Sequence, residues 1–488
     1  MRVERCWLED WDDWLRREDL LPGTPFLISP GFEYDVVVNG FFADVPMAAS
    51  SQRTREGYAR DLAAFFNFLW LARDARSWRD ATAADHLAYL QWRRRDPAGP
   101  RVAGSTWNRE VAAVSQFYQW AVGCGHVRLN PVPQAARRRA PVEAGWAARQ
   151  DPGEQRPATY AHDAVRERVE WMPPAAYRLW RDVGVRGFAP GGLPGEGFRG
   201  WWAARNAAFC DLMVRTGLRL SEQAALTMLE VPLDRAADGY QRFWLPAAIA
   251  KGGSARWIYL PASVIADLAA YAEIDRAKVV ADAAASGRYR SWHRPLVVQD
   301  PARPVAVRAG DGTGRMVKVS ELDTAERRRL LIDGIGGLEP AMFWLNERGD
   351  PLSASAWKRM FQDASNRCQQ AGVPLACHAH TLQHTFAVVT LEQLQRGHIE
   401  AMAGLTAEQR GHYTRIFGDP LDWVRRRLGH RSLTTTMIYL HALAELEMRT
   451  RMALVPDGWE DPRDTPLRVL AAESTGPGSR SGGGYLCH

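Results

Sequence analysis

A histidine and a tyrosine, His430 and Tyr439, lie nine residues apart just after an arginine triplet, Arg425-Arg426-Arg427. On one continuous helix, nine steps of about 100° would put the two side chains on opposite faces. Gly429 lifts that constraint. A helix over Asp422–Leu428 can end there, because glycine accepts the left-handed conformation of a C-terminal cap. Ser432 or Thr434 can then cap a second helix that carries Tyr439. An imidazole, a phenol and guanidinium groups aimed at one point suit chemistry on a phosphate. Packing plus a helix cap is the plainer reading of this stretch by itself, so its weight depends on partners elsewhere in the chain.

Three further stretches offer such partners. A helix over Trp201–Val214 runs into Thr216-Gly217-Leu218-Arg219-Leu220-Ser221-Glu222, where Gly217 breaks it and Ser221 can cap the next. Arg219 sits at that junction, within reach of Glu222. Two strand-like segments, 241–249 and 255–260, flank Lys251-Gly252-Gly253-Ser254, a glycine-rich turn with Lys251 at its tip. Finally, His380 and His384 share a helix face in His380-Thr381-Leu382-Gln383-His384-Thr385-Phe386, with Cys377 nearby. Zinc ligation is conceivable there, but no acidic residue lies between the histidines and no second cluster completes four ligands. Neither a metal nor another cofactor is expected.

The elements that must position these groups read as mainly helical. After a mixed extension, 1–48, read as a short helix and then coil, Tyr58, Leu62, Phe65, Phe66 and Leu69 follow helical spacing, with Thr54 as cap. Thr82 and Asp85 form a capping box, and Val111, Val114, Phe117 and Tyr118 mark a third helix. Asn130-Pro131 closes this bundle, whose outer sides carry Arg53, Arg55, Arg60, Arg109 and the Arg93–Arg95 triplet. Residues 136–170, with the triplet Arg137–Arg139, read as a linker. A helix opens at Trp171-Met172-Pro173-Pro174. Residues 284–340 read as long and irregular, with one hairpin pairing Val305 and Val307 with Met316, Val317 and Val319. Phe343-Trp344-Leu345 reads as a short strand, and 456–488 as a disordered tail.

The 488 residues carry 62 Lys and Arg against 56 Asp and Glu, a net charge of +6 that permits an anionic partner. Six widely spaced cysteines argue against a disulfide scaffold and for a reducing, cytoplasmic setting. No apolar run approaches the roughly 20 residues of a membrane span.

In order, the blocks around Arg219, Lys251-Gly252-Gly253-Ser254-Ala255-Arg256, His380, Leu428-Gly429-His430 and Tyr439 resemble the tyrosine recombinase (phage integrase) family over roughly residues 50–450. The resemblance implies an α+β fold, mainly α with small β-hairpins. It implies a helical SAM-like, DNA-binding core-binding domain at 49–135 and a catalytic domain at 171–455. It also implies a site-specific recombinase of a mobile element, associated with the nucleoid. Such an enzyme cuts and rejoins double-stranded DNA through a 3′-phosphotyrosyl intermediate, as a homotetramer on two sites.

Arg219 would clamp the phosphate, Lys251 would protonate the leaving oxygen, His380 would assist proton transfer around Tyr439, and His430 would donate to the phosphate. His441 is a more distant candidate. The family pattern His-x-x-Arg is broken at Gln383, which implies a weakened enzyme unless Arg396, Arg410 or the Arg425 triplet fills in. A DNA-binding protein of this fold that no longer cuts is the alternative, and a topoisomerase-like relaxer is a third. The stretch from Gln383 to His430 is also longer than the family's usual spacing, with a capping box from Thr406 to Gln409 inside it.

Overall fold

The structure, a computed structural model, describes residues 20–136, 155–162, 169–308, 316–403 and 418–444 apart from short gaps at 22, 46, 235–238 and 335, together with 17, 405, 406 and 409. The chain divides into two compact units, 1–167 and 168–488.

The first unit is a helical bundle. Its helices are α1 (Val36–Ala43), α2 (Gln52–Ala72), α3 (Ala83–Arg94) and α4 (Gly104–Gly123). Phe41 and Phe42 of α1 pack with Leu62, Phe65, Trp107, Phe117 and Tyr118 in one aromatic core. The coil expected across 1–48 is therefore wrong at α1. Its sequence, VVVNGFFA, is apolar almost all round and shows no helical period, yet Asp35 caps it by accepting from Val37 and Val38. Ser51, not Thr54, caps α2. The capping box of α3 is present, with Thr82 and Asp85 reciprocally bonded. The expected linker is not wholly irregular: β1 (Gln134–Ala136) pairs antiparallel with β2 (Gln155–Pro157). Trp107 and Asn108 then hold Thr159 and Ala161 by hydrogen bonds. Arg137–Arg139 lie outside the described residues.

The second unit begins with α5 (Pro174–Trp180), followed by α6 (Ala203–Thr216) and the single turn α7 (Leu220–Gln223). β3 (Tyr240–Leu245) and β4 (Arg256–Pro261) form an antiparallel hairpin. The first strand ends earlier than expected, since 246–255 form a long loop with a tight turn at Lys251–Gly253. α8 (Ala262–Ala270) and α9 (Ala277–Ala285) follow.

The stretch 284–340 is not irregular. Strands β5 (Leu296–Val298), β6 (Val305–Arg308), β7 (Met316–Lys318), β8 (Leu330–Gly334) and β9 (Gly337–Pro340) form one sheet in the order β7-β6-β5-β8-β9. Its β6–β7 pair is the hairpin read from the sequence. Phe343–Leu345, expected as a strand, makes only one isolated bridge, from Leu345 to Pro351, because Phe343 and Trp344 fill the core rather than a sheet.

Three segments then frame the site: α10 (Ala354–Gln370), α11 (Ala379–Ala403) and α12 (Pro420–Leu428). The turn α13 (Leu433–Thr436) and a further helical stretch at 438–444 end the described chain. Phe386, Val388 and Leu391 of α11, Leu421, Val424 and Leu428 of α12, and Tyr439 share one apolar cluster. That cluster fixes the tyrosine segment against α11. The Thr406–Gln409 capping box is formed by reciprocal bonds of 2.9 and 3.3 Å. The tail 456–488 lies outside the described residues.

Candidate active site

The site starts from a buried carboxylate. α6 ends at Gly217, whose φ of 69° is left-handed. A Cβ there would also meet the Phe386 ring at 2.4 Å, so no other residue fits without displacement. The turn delivers Arg219, which takes the capping position expected of Ser221. Glu222, wholly buried, accepts from the Arg219 backbone and from its Nη1, both at 3.0 Å. It also accepts from the Lys251 backbone at 3.1 Å, and from Arg256 Nη1 at 3.3 Å and Nη2 at 2.6 Å. Burial alone would raise the Glu222 pKa. The bonds and charge of Arg256, with Arg219, outweigh it and hold the carboxyl below its ordinary value.

Arg256 comes from the first position of β4 and donates from Nε to the Arg427 carbonyl at 2.7 Å. It thereby ties the hairpin to the last turn of α12. Gly429 caps α12 at φ 64°, as the sequence predicts. A Cβ at Gly429 would stand 2.7 Å from Ser254 Oγ and 3.0 Å from Arg256 Nη1, so the close approach also requires glycine. Arg431 Nη2 donates to the Gly252 carbonyl at 2.6 Å and ties the Lys251 loop to the segment that follows His430. The Lys251 side chain itself is exposed.

Ser432 caps α13, and His430 Nδ1 lies 3.0 Å from Thr436 Oγ1. That leaves Nε2 as the nitrogen with which His430 can meet a ligand. The His430 and Tyr439 rings are nearly parallel, 11° apart, with centroids at 6.3 Å.

The first turns of α11 complete the site. His380 and His384 stand one turn apart with ring centroids at 4.1 Å. Gln383, buried, donates from Nε2 to the Gly217 carbonyl at 3.3 Å, and its Oε1 lies 3.2 Å from His380 Nδ1. A carbonyl only accepts, so the amide orientation is fixed and His380 Nδ1 must carry the proton. His384 Nδ1 lies 3.0 Å from the Tyr439 hydroxyl. Tyr439 is 2% exposed.

The electrostatics follow. Burial, then Arg219, Arg256, Lys251 and His380, push the His430 pKa down to about 4. Burial, then His380, His378 and His430, push His384 down to about 3. His380 is lowered chiefly by burial, with Gln383 opposing and His378, Lys251 and Arg219 adding. Burial raises the Tyr439 phenol, and Arg219 partly offsets it. Neutral imidazoles among fixed cations make a pocket that an anion would stabilise.

All six residues singled out from the sequence, Arg219, Lys251, His380, Gln383, His430 and Tyr439, are thus linked by bonds, ring contacts or mutual electrostatic influence. The arginines considered as substitutes for the missing one are occupied elsewhere or lie outside the described residues. Arg396 pairs with Glu392, and Arg425 and Arg426 pair with Asp422. Arg427 lies over the Tyr259 ring, and Arg410 is outside the described residues. His441 is exposed.

Sequence reasoning missed Arg256 as a member of the site and His384 as the partner of Tyr439. Arg256 carried a readable signal: it shares the inward parity of Ile258 and Leu260 on its strand. Among the described residues no cluster of His, Cys, Asp or Glu could hold a metal ion, and no helix is long and apolar enough to cross a membrane.

In the first unit the basic surface is smaller than the sequence implied. Arg93 is paired with the buried Glu110, Arg109 with Asp61, and Arg55 is buried. Arg53, Arg60 and Arg95 are exposed.

Residues 38–124 match the family described as Phage integrase, N-terminal SAM-like domain. The match starts inside α1 and ends one residue past α4. No curated protein matches the sequence. Among solved structures, the chain is similar to XerH site-specific recombinase bound to palindromic difH substrate, at 14% identity, 86% of this chain, 85% of that chain and a TM-score of 0.44. It is similar to Tn1549 transposon integrase in complex with a circular intermediate DNA, at 12% identity, 84% and 98% coverage and a TM-score of 0.45. It is also similar to a lambda integrase dimer bound to a core site, at 15% identity, 88% and 94% coverage and a TM-score of 0.39.

Proposed function

We propose that the chain, whose residues 38–124 match the phage-integrase SAM-like domain family, is a tyrosine-type site-specific DNA recombinase. The observation that supports this reading is a chain of contacts: Arg219 and the Lys251 backbone share the buried Glu222, Arg431 ties the Lys251 loop to the segment after His430, and the His430 ring lies nearly parallel to that of Tyr439.

In the reaction, the Tyr439 oxygen attacks a backbone phosphorus of double-stranded DNA. The P–O5′ bond breaks, the 5′-oxygen takes a proton from Lys251, and the 3′-phosphate stays on the tyrosine. A 5′-hydroxyl of a second strand then attacks that link and releases the phenol. Phosphoryl transfer depends mainly on positioning and on cations at the non-bridging oxygens. Arg219 supplies a guanidinium fork. Arg256 adds charge from behind, through the shared Glu222. His430 donates from Nε2 once the phosphate has raised its pKa. Because Tyr439 is buried at rest, the pocket must open for a phosphate to reach the hydroxyl. Two duplexes and four copies of the chain complete the strand exchange.

A second reading rests on Gln383. This buried amide holds Gly217 and His380 and brings no charge to the pocket, which suits a protein of this fold that binds DNA without cutting it. Incubation with a nicked duplex carrying the bound sequence separates the two. The recombinase traps itself on the broken strand as a band that survives denaturation, whereas the binder shifts the duplex and leaves it intact.

A further inference from the structure

The Tyr439 proton needs a destination. A phenol must lose its proton as its oxygen bonds to phosphorus, and this phenol is buried, where ionisation before attack is disfavoured. His380, the residue assigned to this step from the sequence, has Nδ1 committed to the Gln383 carbonyl oxygen. It has no hydrogen bond to Tyr439. The nitrogen in contact with the phenol belongs to the next turn of the helix: His384 Nδ1, 3.0 Å from the hydroxyl.

Resting on the recombinase reading, we infer that His384 is a catalytic residue, the general base that takes the Tyr439 proton onto Nδ1 during attack and returns it on rejoining. The step balances. The Oη–H bond breaks and an Nδ1–H bond forms; the Oη–P bond forms as P–O5′ breaks, and the leaving oxygen is protonated by Lys251. On resealing, each proton goes back.

Three features support the assignment. The contact suits the role: in the tautomer with its proton on Nε2, His384 Nδ1 accepts from the phenol across 3.0 Å. The ring is held on both sides, by His380 at 4.1 Å and by Tyr439 at 5.5 Å between centroids. Burial, then His380, His378 and His430, holds the ring neutral while the pocket is empty, so Nδ1 keeps a free lone pair. A bound phosphate adds negative charge beside it and raises its basicity at the moment it is needed.

The test uses the full chain and a duplex whose sequence is recovered by selection for binding. The mapped scissile 5′-oxygen is replaced by sulfur, so that the leaving group needs no proton and Lys251 drops out of the rate. In wild type, adduct formation is expected to be level from about pH 6 to 9, because the internal base outcompetes hydroxide. His384→Asn can accept the same hydrogen bond but cannot take the proton. It is expected to bind the duplex normally and to form adduct about 10²–10⁴-fold more slowly at pH 7, with a rate that climbs as pH rises. A variant rate within about fivefold of wild type would make His384 a positioning residue and overturn the inference. Should the variant not fold, the wild-type profile decides: a rate rising about tenfold per pH unit means hydroxide is the base, and the inference fails. Absence of any wild-type adduct would instead remove the recombinase reading itself.

Discussion

Gln383 and His380 face each other through a hydrogen bond whose direction is dictated from the far side. Gly217 offers only a carbonyl, so the amide nitrogen turns to it and the amide oxygen to His380 Nδ1. An arginine at 383 could not do this, since a guanidinium has donors and no acceptor. It would hold Gly217 equally well, force the other His380 tautomer, and place a charge beside Arg219 and Lys251.

Gln383→Arg is therefore expected to separate stability from activity. Without DNA, the added buried cation lowers stability by about 1–3 kcal/mol, which urea unfolding would register. With DNA, the same cation meets a phosphate oxygen, and adduct formation accelerates by about 10–10². If both proteins bind the site tightly and neither cuts it, the non-cutting reading gains.

Glu222 is the keystone of the cation cluster. Replacing it with Gln leaves Arg256, 7% exposed, without its counter-charge. The expected loss is about 3–5 kcal/mol, the range for breaking a buried pair from one side. Linkage gives a second check. The Glu222 pKa is lowered on folding, so its contribution is complete above its ordinary value and fades as pH falls through the folded one. The gap in urea midpoint between wild type and Glu222→Gln is expected to narrow in acid. An equal gap at pH 3 and pH 7 would contradict the role given to the carboxylate.

His430 predicts a different pH window. Its folded pKa, about 4, lies below the ordinary histidine value of 6.5. Between the two, the unfolded chain binds a proton that the folded chain refuses, so stability falls as pH drops below about 6.5. At pH 5 the cost is about 1–2 kcal/mol for this partly exposed ring. Urea melts of wild type and His430→Asn at pH 7 and pH 5 measure it: the variant should lose less on acidification. A bound phosphate reverses the sign, so wild-type affinity for DNA should strengthen over the same interval.

Several of these relations could be read from the chain before any coordinates. Gly217 and Gly429 had to end helices, and both do; five short motifs in order named the six residues of the candidate site. What stayed hidden was hidden for physical reasons. α1 lacks a polar face, so periodicity could not find it. The five-stranded sheet is built from strands of three to five residues, too short to show alternation. His384 looked like half of a metal pair because its true partner is 55 residues away in sequence. Arg256 sat inside a motif quoted for its lysine, and only its contact with Glu222 gives it a place in the pocket.

The most direct measurement identifies the atom that joins protein to DNA. The trapped complex would be digested with nuclease and protease and its modified peptide read by mass spectrometry. The expected result is a single nucleotide 3′-phosphate on Tyr439, a free 5′-hydroxyl on the other strand end, and no adduct from Tyr439→Phe. An adduct on any other residue, or one that survives in Tyr439→Phe, would contradict it.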